Sequence, residues 1–370
     1  MMVPDAAGGE PHTPSPGEIF RNGGMARTLR ELAEGGKGAF YGGRAGKEIV
    51  ALLASLGGVM TAEDMEAHTT TFPEPIAVNY HGVDVYEHPP NGQGIAALLA
   101  LQQLGGMAPE KLEHNSAAYL HLLIETMRSA FADARWFVTD PDMHEIPVAE
   151  LLSEQYAAKR RALFDPARAA VDVVAGSPIA SCDTVSFQVV DHHGNAVSMV
   201  NSNYMGFGTG LVPEGCGFTL QNRGHNFSLA DGHPNRLAGG KRPFHTIIPC
   251  MALKDGELYC SLTNMGGFMQ PQGHVQLMLS MIDRGFEPQH AIDIPRFCIG
   301  AHSFGSEISI EDGIADDVFE ALKALGHNVV RITGHDRAVF GRAQIIRRDP
   351  SSGVLWGGSD GRADGCAVGW

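Results

Sequence analysis

The sequence predicts an α+β protein, and three observations carry that prediction. Amphipathic helical periodicity dominates the first half, and two-residue alternation takes over after position 184. Between them, residues 165–181 contain Pro166, Gly176, Ser177 and Pro178 without any clear period, which marks a linker.

In chain order, 25–34 and 44–56 read as amphipathic helices that break at Gly35-Gly36 and Gly57-Gly58. Thr61 with Asp64 three residues on resembles a capping box opening a short helix. Residues 75–87 alternate around Gly82, predicting a hairpin, and Pro89-Pro90-Asn91-Gly92 turns into a helix over 93–104. Leu120, Leu123, Ile124, Met127, Phe131 and Ala134 recur at helical spacing behind Ser116, an N-cap residue type, so 116–138 should be one long core helix. A further helix is expected over 148–163. The second half reads as strands at 185–190, 195–202, 247–253 and 258–263, then a helix over 272–284. Strand, helix and strand follow at 307–310, 315–325 and 329–332, and a hairpin at 342–347 and 353–357 closes the chain.

Composition narrows the function classes. The 370 residues are 44% hydrophobic and 19% charged, as in ordinary globular proteins. A net charge of −15 without a Lys or Arg run argues against nucleic acid or an anionic membrane as partner. The six cysteines contain no C-x-x-C pair, so neither a disulfide scaffold nor a zinc ribbon is expected. His225, His233 and His245 lack helix-face ligand spacing, and no metal or cofactor is expected. Gly206-Phe207-Gly208-Thr209-Gly210 lacks the spacing of a dinucleotide fingerprint. No apolar run approaches the roughly 18–20 residues needed to cross a bilayer, and Met1 to Gly17 reads as neither signal nor anchor, so a cytoplasmic location is expected.

The hairpin around Gly194 is the most informative element. If His192-His193-Gly194 forms the loop with Gly194 left-handed, Asp191 pairs with Asn195, and the same register places Thr184 opposite Ser202. A two-residue loop would shift this by one. Facing Thr and Ser hydroxyls are also common in ordinary sheets.

Ordered segments give the pair a second meaning. Asp183-Thr184-Val185-Ser186-Phe187-Gln188-Val189-Val190-Asp191 with Gly194-Asn195-Ala196-Val197-Ser198 resembles the cleavage site and first hairpin of the gamma-glutamyltransferase family. Phe207-Gly208-Thr209-Gly210, Lys241-Arg242-Pro243, Gly266-Gly267 and the closing Ser359-Asp360 with Arg362-Ala363-Asp364-Gly365 follow at similar spacing. In the first half Tyr80-His81-Gly82, Pro89-Pro90-Asn91-Gly92-Gln93-Gly94 and Ala132-Asp133 with Asp140-Pro141 also match, so the resemblance runs from Ile19 onward.

The resemblance implies a four-layer αββα sandwich, the N-terminal-nucleophile hydrolase fold. It also implies a precursor cut between Asp183 and Thr184 into a large-chain portion, 1–183, and a small catalytic chain, 184–370, which stay associated. A free Thr hydroxyl is a poor nucleophile at neutral pH. As a chain start it gains its own base, because an α-amine titrates near ~8. Carried over by position, Ser202 would hydrogen-bond the nucleophile, and the N–H groups of Gly266 and Gly267 would form the oxyanion hole, where a side chain would block approach.

The substrate pocket departs from the family pattern. Asn226 stands where a substrate ammonium would meet an Asp, and Arg223 where a Gln would stand. Both changes disfavour a glutamyl group and favour an acyl group that ends in a carboxylate without an amine. His245 and Thr246 replace a serine pair, and Tyr204 an Asn. This pattern resembles the acylase and oxamate-amidohydrolase branch, so hydrolysis of a small-molecule amide is expected over transpeptidation. Two alternatives stand beside it: a glutathione-hydrolysing transpeptidase, and an unprocessed chain without catalysis. Family precursors carry a further segment upstream of Ile19, with core strands and a carboxylate-binding Arg, so the sandwich is expected to be incomplete.

Overall fold

The computed structural model describes residues 12–170, 182–300 and 307–370, so 171–181 of the expected linker lie outside the described residues. Two compact units emerge: Met1–Phe72 with Phe207–Asn222, and Pro73–Gly206 with Arg223–Trp370. They divide the chain by compactness, whereas a boundary at 183/184 would divide it by covalent cleavage.

The first unit holds helices α1 (Gly23–Tyr41), α2 (Arg44–Ser55) and α3 (Ala62–Ala67). The break expected at Gly35-Gly36 is a kink instead: Gly36 turns to φ 61 and the helix resumes to Tyr41. Asn22 caps α1, its Oδ1 accepting the Met25 N–H at 2.9 Å while its amide donates to the Gly217 carbonyl at 2.7 Å. The Thr61–Asp64 capping box is present in both directions, which fixes where α3 begins. Arg44 ties α2 to α1 through Glu31 at 2.9 Å and to the Gly215 carbonyl at 3.2 Å.

The second unit begins with hairpin β1 (Ile76–Tyr80) and β2 (Val83–Glu87), then α4 (Gly94–Leu104) and α5 (Ala117–Phe137). The Ser116 hydroxyl accepts the Tyr119 N–H at 3.2 Å and starts α5 as expected. Its six periodic apolar residues are all buried, the five larger ones each stabilising the fold by roughly 1.5–3 kcal/mol over exposure. The single helix expected over 148–163 is two, α6 (Val148–Leu151) and α7 (Glu154–Arg161), because Ser153 leaves the helix to cap the second through Tyr156.

There follow β3 (Cys182–Val190), β4 (Ala196–Met205), β5 (Cys250–Lys254), β6 (Glu257–Met265) and α8 (Met269–Ile282). The strand expected from 247 starts three residues later. The Ile247 and Ile248 N–H groups bond to His245 Nδ1 and Gln270 Oε1 at 3.2 Å each, not to a ladder. Then come α9 (Pro288–Asp293), β7 (Phe297–Ile299), β8 (Glu307–Glu311), α10 (Asp316–Ala324), β9 (Asn328–Ile332), β10 (Arg342–Arg348) and β11 (Leu355–Ser359).

The main sheet is antiparallel in the order β1-β2-β5-β6-β10-β11. On one face Leu262 and Cys260 of β6 join the core with residues of α4, α5 and α8. Strand alternation turns Ser261 and Thr263 to the other face, where the β3–β4 hairpin lies. There Gln188 donates to Thr263 Oγ1 at 3.1 Å, and the Ser198 and Thr263 hydroxyls share a bond of 3.0 Å. The hairpin thus packs with its polar face inward, while Val185, Phe187, Val189, Val197 and Met199 are exposed on the other. A third sheet orders β7-β8-β9, its parallel β8–β9 pair crossed by α10.

A buried ionic lattice locks β8 to the end of β11. Glu311 receives Arg362 in a two-pronged bond of 2.7 Å each, Arg337 Nε at 2.7 Å and the Arg296 N–H at 2.8 Å. Asp360 receives Arg296 at 2.9 Å, Arg362 at 3.0 Å and the Ala343 N–H at 2.8 Å. This is where the closing Asp360…Arg362 motif of the sequence goes. Among the described residues no helix is long and apolar enough to cross a membrane.

Candidate active site

The site is built on the β3–β4 hairpin. Its loop is the three-residue one, with Gly194 at φ 86 and the Asp191 N–H donating to the Asn195 carbonyl at 3.0 Å. The register then runs Val190↔Ala196 through Thr184↔Ser202, the pairing the loop predicts. One step further it slips: Asp183 faces Tyr204, so Asn203 is an extra residue on β4 and the irregularity falls at the Asp183–Thr184 bond. The sequence shows no sign of this bulge. Tyr204 takes a left-handed φ of 78, rare for a bulky residue.

Thr184 is 6% exposed. Its Oγ1 lies 2.8 Å from Ser202 Oγ, and Ser202 Oγ also accepts the Tyr204 N–H at 2.9 Å. Either hydroxyl can be the donor in that contact. Thr184 also lines an open cleft with Phe187, Met265, Arg342 and the C-terminal Trp370. Asp183 and Thr184 both lie within β3.

The residues expected to bind substrate are gathered behind this pair. Tyr204 is wholly buried, and its hydroxyl donates to Asn226 Oδ1 at 2.7 Å. Asn226 in turn donates to the Phe244 carbonyl at 3.0 Å, so its amide is held by the protein at both ends. Arg223, buried, donates to Thr246 Oγ1 and to the Ser202 carbonyl at 3.4 Å, with its guanidinium 4.9 Å above the Tyr204 ring. That places a cation one residue's backbone away from the Ser202 hydroxyl. Burial first, then the positive charge of Arg223, depresses His245 to about 3, so its ring is neutral at physiological pH. Its Nδ1 accepts the Ile247 N–H, which leaves the proton on Nε2 as a donor.

Gly266 and Gly267 form the turn between β6 and α8, with φ of 142 and 59. A Cβ on Gly266 would come within 3.1 Å of Met269 and 3.3 Å of Gly341, so the turn needs glycine there for space as well as for angle. Their carbonyls accept the Met269 and Gln270 N–H groups at 3.0 and 3.2 Å, at the start of α8.

Metal-ligand residue types do meet elsewhere. Glu87, Cys250 and His274 form one buried group. Both ring nitrogens of His274 there already have protein partners: Nδ1 meets Glu87 Oε1 at 2.6 Å and Nε2 the Asn264 N–H at 3.2 Å.

The family profile described as gamma-glutamyltranspeptidase matches residues 7–370. The chain is 37% identical to the glutathione hydrolase-like YwrD proenzyme of Bacillus subtilis, a match covering 96% of this chain and 67% of that one. It is 33% identical to the oxamate amidohydrolase proenzyme of Klebsiella pneumoniae, again over 96% of this chain and 67% of the other. Among solved structures, the cephalosporin acylase from Bacillus halodurans superposes with a TM-score of 0.87 at 39% identity, over 97% of this chain and 64% of that one. The chain therefore spans about two thirds of the length of these relatives, and its α+β fold is that of the N-terminal-nucleophile acylase it superposes on. On this sequence match and this shared fold, the chain belongs to the gamma-glutamyltranspeptidase family.

Proposed function

We propose that this chain is a self-processing amide hydrolase whose nucleophile is Thr184. The observation that carries the reading is the 2.8 Å contact between Thr184 Oγ1 and Ser202 Oγ, placed beside the register slip at the Asp183–Thr184 bond. In processing, the Thr184 hydroxyl attacks the Asp183 carbonyl carbon, the C–N bond breaks, and the hydroxyl's proton passes to the nitrogen, which leaves as an amine. Water then hydrolyses the ester, which leaves a carboxylate on Asp183 and a free hydroxyl and α-amine on Thr184.

In turnover, that amine takes the hydroxyl proton as Oγ1 attacks the substrate amide. The proton passes to the leaving amine, and water releases the acyl group from Thr184. Ser202 holds the hydroxyl in place, and the N–H groups of Gly266 and Gly267 receive the developing oxyanion.

The acyl group in this reading carries a carboxylate and no amine. The buried positive charge of Arg223 supports it, since it attracts a carboxylate and repels an ammonium. So does Asn226, whose uncharged amide is spent on Tyr204 and Phe244. The likeness to an oxamate amidohydrolase points the same way.

Mass spectrometry of the purified full chain tests the proposal, with a new N-terminus at Thr184 and two associated fragments, 1–183 and 184–370, as the expected result. A chain that stays whole through long incubation overturns it. Substrate class is tested by Arg223→Gln. That variant should raise KM for a glutaryl anilide roughly 10- to 100-fold, the scale of one lost charged hydrogen bond, and leave an uncharged acyl anilide within threefold. Equal losses on both substrates would remove Arg223 from substrate binding.

A further inference from the structure

The segment Pro89-Pro90-Asn91-Gly92-Gln93-Gly94 has no part in the chemistry above, yet Gln93 is completely buried in front of α4. Its side-chain amide spends both protons on the two segments that carry proposed site residues. Nε2 donates to the Gly267 carbonyl at 2.8 Å and to the Thr246 carbonyl at 2.7 Å. Its backbone N–H donates to the His245 carbonyl at 2.9 Å, and the His245 N–H returns a bond to the Asn91 carbonyl at 2.8 Å. Asn91 completes the clamp by donating from its side chain to the Pro243 carbonyl at 2.7 Å.

We infer that Gln93 is a positioning residue that fixes the Gly266–Gly267 turn and registers it against the 243–246 pocket wall. The inference rests on the proposed role of that turn. Two successive glycines at positive φ have wide conformational freedom and no side chains to hold them, so beyond the two N–H groups of α8 the turn gains its fixity from outside. The Gly266 carbonyl is turned to Met269. In a planar trans peptide the Gly267 N–H therefore points the opposite way, off the helix end. Gln93 shares the next carbonyl with the Gln270 N–H, and the two donors together leave the Gly267 backbone little room to rotate its N–H away. From the other side His274 fixes the Asn264 N–H at the end of β6. A donor that must meet a transient oxyanion is effective only when it is already aimed.

Gln93→Met keeps the length and removes both donors. Gln93→Glu keeps the shape; a carboxyl buried there is driven to its protonated form and can donate once. With both variants as processed full-length protein and glutaryl p-nitroanilide as substrate, kcat should fall in the order wild type, Gln93→Glu, Gln93→Met. The last should lose about 10- to 100-fold, below the 10²–10³ of a deleted oxyanion donor, with KM within threefold of wild type. A kcat within twofold of wild type in either folded variant, or a loss lying wholly in KM, overturns the inference. If Gln93→Met does not fold, Gln93→Glu alone decides it by the same criterion. A wild-type chain that never frees Thr184 strikes the functional proposal instead, so the two failures are distinguishable.

Discussion

Thr184→Ala is expected to leave one intact chain of 370 residues with amide hydrolysis lowered by about 10⁴-fold or more, the scale of deleting a nucleophile. The variant removes the oxygen that attacks Asp183 and, with it, the cut that would create the α-amine. Both defects come from one atom, so they should appear together on a denaturing gel and in the rate. Thr184→Ser separates them from folding. It keeps the hydroxyl at the same register position opposite Ser202, and should still process and turn over, although more slowly. Steady cleavage in Thr184→Ala would show that another group, or a contaminating protease, makes the cut.

Glu311→Ala should be the most damaging substitution away from the hairpin. Glu311 is fully buried and neutralises Arg362 and Arg337 while accepting the Arg296 N–H. Removing one side of a buried ion pair leaves an uncompensated charge and typically costs about 3–5 kcal/mol. Denaturant unfolding should show this as a large fall in midpoint, and an unchanged midpoint would mean that the lattice is dispensable.

Acid should act on the same lattice through Asp360. Burial alone would raise its carboxyl pKa, but Arg296 and Arg362 outweigh burial and hold it below the ordinary carboxylate value. A carboxyl depressed in the folded state contributes stability that is complete above the unfolded pKa of about 4. That contribution is lost as pH falls through the folded value. Asp360→Asn should therefore be less stable at pH 7 and lose less on acidification, as read from unfolding midpoints at pH 7 and pH 3.

Local rules made much of this fold legible. The Thr61–Asp64 box, the Ser116 cap and the Gly194 loop each act within a few residues, and each is where the sequence put it. The register from that loop carried far enough to bring Thr184 to Ser202. What escaped was set by distant partners. β5 starts late because Gln270, about twenty residues on, takes a backbone N–H from the would-be strand. β7 is only three residues long, too short for any period to show. Gln93 looked like part of a turn, and its role depends on carbonyls more than 150 residues away. In the pocket, residue types at positions 223 and 226 were readable, but the mutual engagement of Asn226, Tyr204 and Phe244 was not.

The register slip in β3 bears on how the chain would come apart once cut. Among the described residues, seven of the nine pairings between β3 and β4 lie from Thr184 onward and two, at Cys182 and Asp183, lie before it. The new chain start would therefore stay zipped to its neighbour, with its freshly made amine confined rather than fraying as most termini do. On the outgoing side, the two described rungs are already out of step with the rest of the ladder. A cut at that rung would thus fall where the ladder changes step, with the seven regular pairings all on the side of the new chain start.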